Sequence, residues 1–442
     1  MGKAFKSLRS IFALLMSAIL VSSLVLACAG GAAPTGTQAP AAATKAPAAS
    51  SKTEEPAKPA AGTSSQPAAK GAPSVKVGVL LALSGPLAPM GESAKRGLEL
   101  ANDYINANGG IKSMGGAKIE LDYADYEGKN DLVVSQTEKL AQDGVVALIG
   151  SHISAATVVS TQAGERLKVP QVVPLGIADV ITDRGFKYTF RTSIKSDWFI
   201  KDQIDFLPFL AKSKNMTIKK VGLLYEDTEY GQSTAKAWKK YLGQGGYEIV
   251  ADLSYPAGAK DVSAIISKLK AADPDVTLQT SYLADALLIG KTMDQLGFKK
   301  TVIGTGAGHI YSDFIKGMGP LSENFLAIAL WNSDLTSAQD VVKAFKAKYP
   351  DAEPNHDFAI FYQSLLVLKD ALEKAGKADR EAVRDALAKE DFTSPMIMPY
   401  EKIQFGPDGQ NKQEFTHNII VQVQNGKFVT VWPEKYAAGK LK

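Results

Sequence analysis

The chain has 442 residues, 45% of them hydrophobic and 22% charged, with a formal net charge of +4 and a single cysteine. That length allows about three domains, and a modest charge with no Lys/Arg block interleaved with aromatics excludes nucleic acid as a partner. The one cysteine, Cys28, excludes a disulfide within the chain.

At the amino terminus Lys3, Lys6 and Arg9 form a basic region, and residues 11–26 are apolar. Residues 1–27 read as a secretory signal peptide. The bland alternative, a transmembrane anchor, calls for a longer apolar run. Cys28 follows at once in the box Val25-Leu26-Ala27-Cys28, which resembles a bacterial lipoprotein signal. The resemblance implies lipid attachment at Cys28, and two or more acyl chains anchor stably where one is marginal. Residues 28–73 are almost entirely Ala, Pro, Gly, Ser, Thr and Lys. Such sequence has nothing to bury and is expected to be a disordered tether.

From residue 75 onward short apolar runs alternate with amphipathic segments. Strands are expected at 75–83, 118–125, 145–149 and 171–173, with helices at 92–106, 131–142 and after Ser154. In the helix at 131–142, Val134, Thr137, Leu140 and Ala141 are expected to face inward. The pattern then restarts, with helices at 197–211, 232–242, 262–271 and 284–296 between strands at 220–226, 248–253, 276–280 and 301–304. A strand at 325–330, helices at 338–348, 357–374 and 379–389, and strands at 403–405, 418–424 and 427–432 complete the chain. Asn425-Gly426 supplies the turn of a closing hairpin. Two successive β/α sets of similar size predict two α/β lobes, each a doubly wound parallel sheet.

Catalytic and nucleotide motifs are missing from the chain: no P-loop spacing and no Gly-x-Ser-x-Gly elbow occur. The glycines of Gly304-Thr305-Gly306-Ala307-Gly308 lack dinucleotide-fingerprint spacing and read as a cleft loop. His152, His309, His356 and His417 are scattered, so neither a metal nor a cofactor is expected; His152 and His309 carry more weight because both follow strands. An enzyme has no nucleophile–base pair behind it. What remains is a set of polar and aromatic loops at the carboxyl ends of parallel strands, where open α/β sheets bind ligands. Chief among them is the turn before Ser154, where a helix N-terminus can hold an anion.

These loops resemble those of type I periplasmic binding proteins, the leucine/isoleucine/valine-binding family of branched-chain amino acid ABC transporters. The carriers are VKVGVLLALSGPLAPMG at 75–91, LANDYINANGGI at 100–111, GVVALIGSHISAAT at 144–157, ITDRGFKYTFRT at 181–192, DTEYG at 227–231 and FGPDG at 405–409. The resemblance implies two lobes that close on a ligand, joined by three crossovers near 193–197, 330–332 and 409–413. The N-terminal lobe would take 74–196 plus 331–411, and the C-terminal lobe 197–330 plus 412–442.

Ser154 matches the serine that holds the ligand carboxylate, helped by the helix N–H groups at Ala155 and Ala156; the bland reading is a plain N-cap. Tyr230 and Tyr282 match cleft tyrosines of the far lobe, whose bland reading is core packing. Met90 stands where the family often has an aromatic lid, Ile177 where amino-acid binders carry threonine, and Gly306 where they place the glutamate for the ligand ammonium. Either another acid does that job, with Asp125, Glu226 and Asp227 as candidates, or the ligand has no α-ammonium. The second reading is preferred: a small carboxylate with an apolar or aromatic body against Met90, Ile177, Tyr282 and Trp331. The expected function is a lipid-anchored substrate-binding protein on the outer face of the cytoplasmic membrane or in the periplasm. Its partners would be a small carboxylate or amino acid, an ABC permease and ATPase, and the membrane. The alternative is a sensing module that presents its ligand to a separate receptor.

Overall fold

The computed structural model describes residues 73–442. The expected signal peptide, Cys28 and nearly all of the tether lie outside the described residues. The chain opens with β1 (Ser74–Leu81), α1 (Ala88–Ala107), β2 (Lys118–Asp125), α2 (Asn130–Gln142), β3 (Ala147–Gly150), α3 (Ser154–Leu167), β4 (Gln171–Val173), α4 (Val180–Asp183) and β5 (Thr189–Arg191). A second series follows: α5 (Ser196–Ser213), β6 (Lys220–Glu226), α6 (Glu229–Gln244), β7 (Glu248–Tyr255), α7 (Ser263–Ala272), β8 (Val276–Thr280), α8 (Leu283–Gln295), β9 (Thr301–Thr305), α9 (Ser312–Met318) and β10 (Leu326–Ala329). The last part holds α10 (Gln339–Lys348), α11 (His356–Ala375), α12 (Arg380–Leu387), β11 (Asp391–Phe392), β12 (Ile403–Gln404), β13 (Ile419–Gln424) and β14 (Lys427–Trp432).

Two sheets carry the fold. The first is five-stranded in the order β2-β1-β3-β4-β5 and wholly parallel. The second is seven-stranded in the order β14-β13-β10-β9-β8-β6-β7, parallel except for the last hairpin. Central strands such as β8 are buried along their length, as expected where helices cover both faces of a parallel sheet. The chain leaves the first sheet after β5, leaves the second after β10 to place α11 against α1, and returns to the second sheet at β13. Three passages between the sheets result.

Some elements depart from expectation for local reasons. Helix α1 begins at Ala88, because Pro89 is compatible with its first turn. In α2 Thr137 and Leu140 are buried as expected, but the first inward residue is Val133, whereas Val134 is exposed. The strand at 403–405 is the short β12, paired with β11 in a separate two-stranded sheet. The final hairpin turns through Asn425 and Gly426, both at positive φ.

Helix α11 is buried on nearly every face, from Phe358 through Leu368, so it forms core rather than surface. It lies close to α1 because Gly97 has no side chain; a Cβ there would stand 2.3 Å from the carbonyl oxygen of Phe358. Each fully buried Phe or Leu in this layer contributes about 1.5–3 kcal/mol. That packing fixes the amino end of α11, where Asn355 caps the helix by accepting the N–H of Phe358. Asp357 is thereby held beside His152 in the loop that follows β3.

Candidate functional site

A cavity lies where the carboxyl ends of the two sheets meet, with an empty volume of about 440 Å³, part of it open to solvent. Met90, Leu175, Ile177, Phe199 and Leu330 supply apolar walls; Ser154, Tyr230, Tyr282, His152, His356 and Asp357 supply polar groups. Residues of both sheets therefore face one space, as a small-molecule pocket requires.

Ser154 is the first residue of α3, not its N-cap; that position is Ile153, and no side chain caps the helix. The first bond into the helix runs from Thr157 N–H to Ile153 O at 2.9 Å. The N–H groups of Ser154, Ala155 and Ala156 precede it and are open to an acceptor. Ser154 Oγ accepts the N–H of Ala178 at 3.2 Å, which leaves its own proton free to donate. A hydroxyl donor beside a fourteen-residue helix N-terminus suits an anion.

Tyr230 donates its hydroxyl to Thr305 O and packs against Tyr282 at a ring distance of 5.8 Å. Its side chain is thus tied to the second sheet and offers the cavity a ring face. Gly306 sits at φ 51 and ψ −144, a conformation open essentially to glycine alone, although a Cβ would meet nothing nearer than 3.5 Å. Backbone strain, rather than crowding, selects glycine where the resemblance would place glutamate.

Of the residues singled out in the sequence, Met90, Ser154, Ile177, Tyr230, Tyr282 and Gly306 line this cavity. Ala155 and Ala156 are not in its wall; Ala156 is fully buried in the core, so only their backbone can serve a ligand. Trp331 faces a neighbouring cleft, donates its indole N–H to Ile397 O at 3.0 Å and meets Phe358 edge-on. The three candidate acids are spent on backbone. Asp125 accepts the N–H of Leu83 and Glu127 at 2.9 and 2.7 Å. Glu226 accepts those of Thr228 and Gly231 at 2.5 and 2.7 Å, and Asp227 that of Ala257 at 3.1 Å.

The acid that does line the cavity is Asp357, which sequence reasoning passed over as part of a helix. It is fully buried and accepts the hydroxyl of Tyr311, bridging α11 to the loop after β9. Its other oxygen, Oδ1, lies 3.0 Å from His356 Nε2 and 3.3 Å from His152 Nε2. Neither contact has the alignment of a hydrogen bond, and Oδ1 has no other partner. Burial opposes the charge of Asp357, yet the two imidazoles beside it hold its carboxyl well below the usual carboxylate range. The available signal was a polar pair, His356-Asp357, capped by Asn355 at the head of an otherwise apolar helix. Among the described residues no group of three or more His, Cys, Asp or Glu side chains is arranged to hold a metal ion.

Two α/β sheets joined by three passages, with a cavity between their carboxyl ends, define a type I periplasmic binding protein fold. The chain belongs to the periplasmic binding protein family, whose profile matches residues 74–427, and is a substrate-binding protein of the ABC-transporter type. It is 30% identical over 388 residues to the Leu/Ile/Val-binding protein homolog 7 of Brucella suis biovar 1 (strain 1330), covering 85% of this chain and 95% of that one. Among solved structures it is similar to the branched-chain amino acid transporter substrate binding protein LivJ of Streptococcus pneumoniae in complex with isoleucine. That match has a TM-score of 0.70 and 26% identity over 81% of this chain and 100% of the other. The leucine binding protein LivK of Thermotoga maritima shares the fold, with a TM-score of 0.71 and 22% identity over 81% and 98%.

Proposed function

We propose that the protein is the lipid-anchored substrate-binding subunit of an importer of the branched-chain amino acid type. It captures a small α-amino acid with an apolar side chain between two closing lobes, residues 74–196 plus 331–411 and residues 197–330 plus 412–442. The observation that carries this reading is the pairing, in one cavity, of a serine at a helix N-terminus with a fully buried carboxylate, Asp357. A zwitterion answers both poles. Its carboxylate takes the Ser154 hydroxyl and the free N–H groups of α3. Its ammonium takes the Asp357 oxygen that has no hydrogen bond in the protein. Isoleucine in the Streptococcus pneumoniae relative supports the same ligand class.

Lipid attachment at Cys28 on the outer face of the membrane, and docking on a separate permease and ATPase, complete the proposal. Closure draws its free energy from contacts that ligand makes with both lobes at once. The second reading, a plain carboxylate with an apolar body, keeps one observation in its favour: the imidazoles of His152 and His356 already stand beside Asp357. A thermal-shift and calorimetric panel on the full chain separates the two. L-leucine and L-isoleucine are expected to raise the melting temperature by mass action, while 4-methylpentanoate, which is leucine without its amine, is expected to bind far more weakly. Preference for 4-methylpentanoate or benzoate would transfer the proposal to the second reading. A response to none of these would remove both.

A further inference from the structure

Arg191, at the end of β5, is a buried cation that does not itself line the cavity. It is wholly inaccessible to solvent, and among the described residues no carboxylate stands within ion-pair distance of it. Burial lowers its guanidinium to about 10, against the pull of Asp179, Asp183 and Asp408. Keeping such a charge in the interior is costly unless every donor is used, and an apolar side chain often serves stability as well. Four of its five N–H donors are used. Nε reaches Gln410 Oε1 at 2.5 Å, Nη1 reaches Gly176 O at 2.9 Å and Ala178 O at 2.8 Å, and Nη2 reaches Thr182 Oγ1 at 2.7 Å.

Those partners are two parts of one apparatus. Gly176 and Ala178 flank Ile177 in the cavity wall, and the N–H of Ala178 is the donor that orients Ser154 Oγ. Gln410 belongs to the third passage between the sheets, where its Nε2 donates to Ser193 O at 2.7 Å. The backbone of Arg191 pairs there too, with N–H to Gly409 O at 2.8 Å and O to Asn411 N–H at 2.9 Å. From the first passage, Ser196 holds Ile177 O through its N–H at 2.7 Å and its hydroxyl at 3.0 Å. Two hinge segments and the wall that aims the serine thus converge on one planar fork of donors. A lysine ammonium has the charge but not the fork.

We propose that Arg191 is a positioning residue for ligand capture: it locks the 175–178 wall to the hinge, so that lobe closure and alignment of the Ser154 hydroxyl occur together. The inference rests on Ser154 as the carboxylate ligand. The test is a double-mutant cycle on the full chain with L-leucine as the calorimetric probe, using Ser154→Ala, Arg191→Lys and their combination. A second cycle replaces Arg191→Lys by Thr182→Val, which removes one acceptor and leaves the charge. Arg191→Lys is expected to weaken leucine at least ~10-fold in the native background but less than ~3-fold in the Ser154→Ala background, since residues that act through one another are not additive. Thr182→Val is expected to show the same non-additivity on a smaller scale, and it decides the matter if Arg191→Lys does not fold. Equal losses in both backgrounds, or a lower melting temperature with unchanged affinity, would overturn the role of Arg191 while leaving Ser154 in place. Unchanged affinity in Ser154→Ala alone, or no leucine binding by the native chain, would instead overturn the underlying ligand reading and this inference with it.

Discussion

Replacing Ser154 by alanine removes the one side-chain donor that α3 offers the cavity. In the native protein the hydroxyl oxygen is already engaged by the N–H of Ala178 at 3.2 Å, so the proton is left for the ligand. A hydrogen bond to a charged group contributes about 1.5–3 kcal/mol, and the helix N–H groups remain, so a loss of about 1–3 kcal/mol is expected. That corresponds to roughly 5- to 150-fold weaker binding of L-leucine. The same change leaves the buried Ala178 N–H without an acceptor, at about 1 kcal/mol of stability, or about 1–2 °C in melting temperature for a chain of this size. The two effects are separable: titration calorimetry reads the first, and a thermal melt of the ligand-free chain reads the second. Ser151→Ala is the control. Its hydroxyl meets Thr157 Oγ1 at 3.0 Å and lies outside the cavity, so affinity should hold within about twofold. Native affinity in Ser154→Ala, or an equal loss in Ser151→Ala, would refute the assignment of Ser154.

Asp357→Asn should cut the preference for L-leucine over 4-methylpentanoate about 10-fold or more, read from paired titrations. Its folded carboxyl lies below the unfolded value near ~3.9, so it stabilises above that pH and the contribution fades as pH falls; the acid limb of a stability profile should flatten in the variant. His309 should show linkage of the same sign in a higher pH window. It is fully buried, stacked on Phe325, and lowered to about 3 by burial. Below about pH 6.5 only the unfolded chain takes its proton, which should cost about 2 kcal/mol by pH 5; His309→Leu should remove that slope in denaturant unfolding between pH 7 and 5. Gly306→Ala should destabilise by about 1–3 kcal/mol through its φ of 51 rather than through a clash. Trp331→Phe should leave leucine affinity within about threefold and lower stability by about 1 kcal/mol, because the indole N–H serves Ile397 O outside the cavity.

The strand–helix alternation was legible because buried parallel strands and amphipathic helices leave distinct apolar periods, and the hairpin at Asn425-Gly426 because its turn chemistry is local. Some short elements escaped, although β4 and β12 did not. β5 has three residues and β11 two, too few for a period to show. The cavity turn was found through Ser154, since a strand, a turn and a helix start are contiguous in the chain. Asp357 was not, because its meaning depends on contacts with His152 and Tyr311, which lie 205 and 46 positions away. Arg191 was hidden for the same reason. Its partners Gly176 and Gln410 belong to separate segments, and only the fold brings them to one side chain.

The central claim is that the cavity recognises both poles of an α-amino acid. The most direct test is the ratio of dissociation constants of the full chain for 4-methylpentanoate and L-leucine, measured by calorimetry at pH 7. A ratio of about 100 or more is expected if Asp357 receives the ammonium, since a charged hydrogen-bonded pair contributes several kcal/mol when desolvated. A ratio near one, or tighter binding of 4-methylpentanoate, would contradict it.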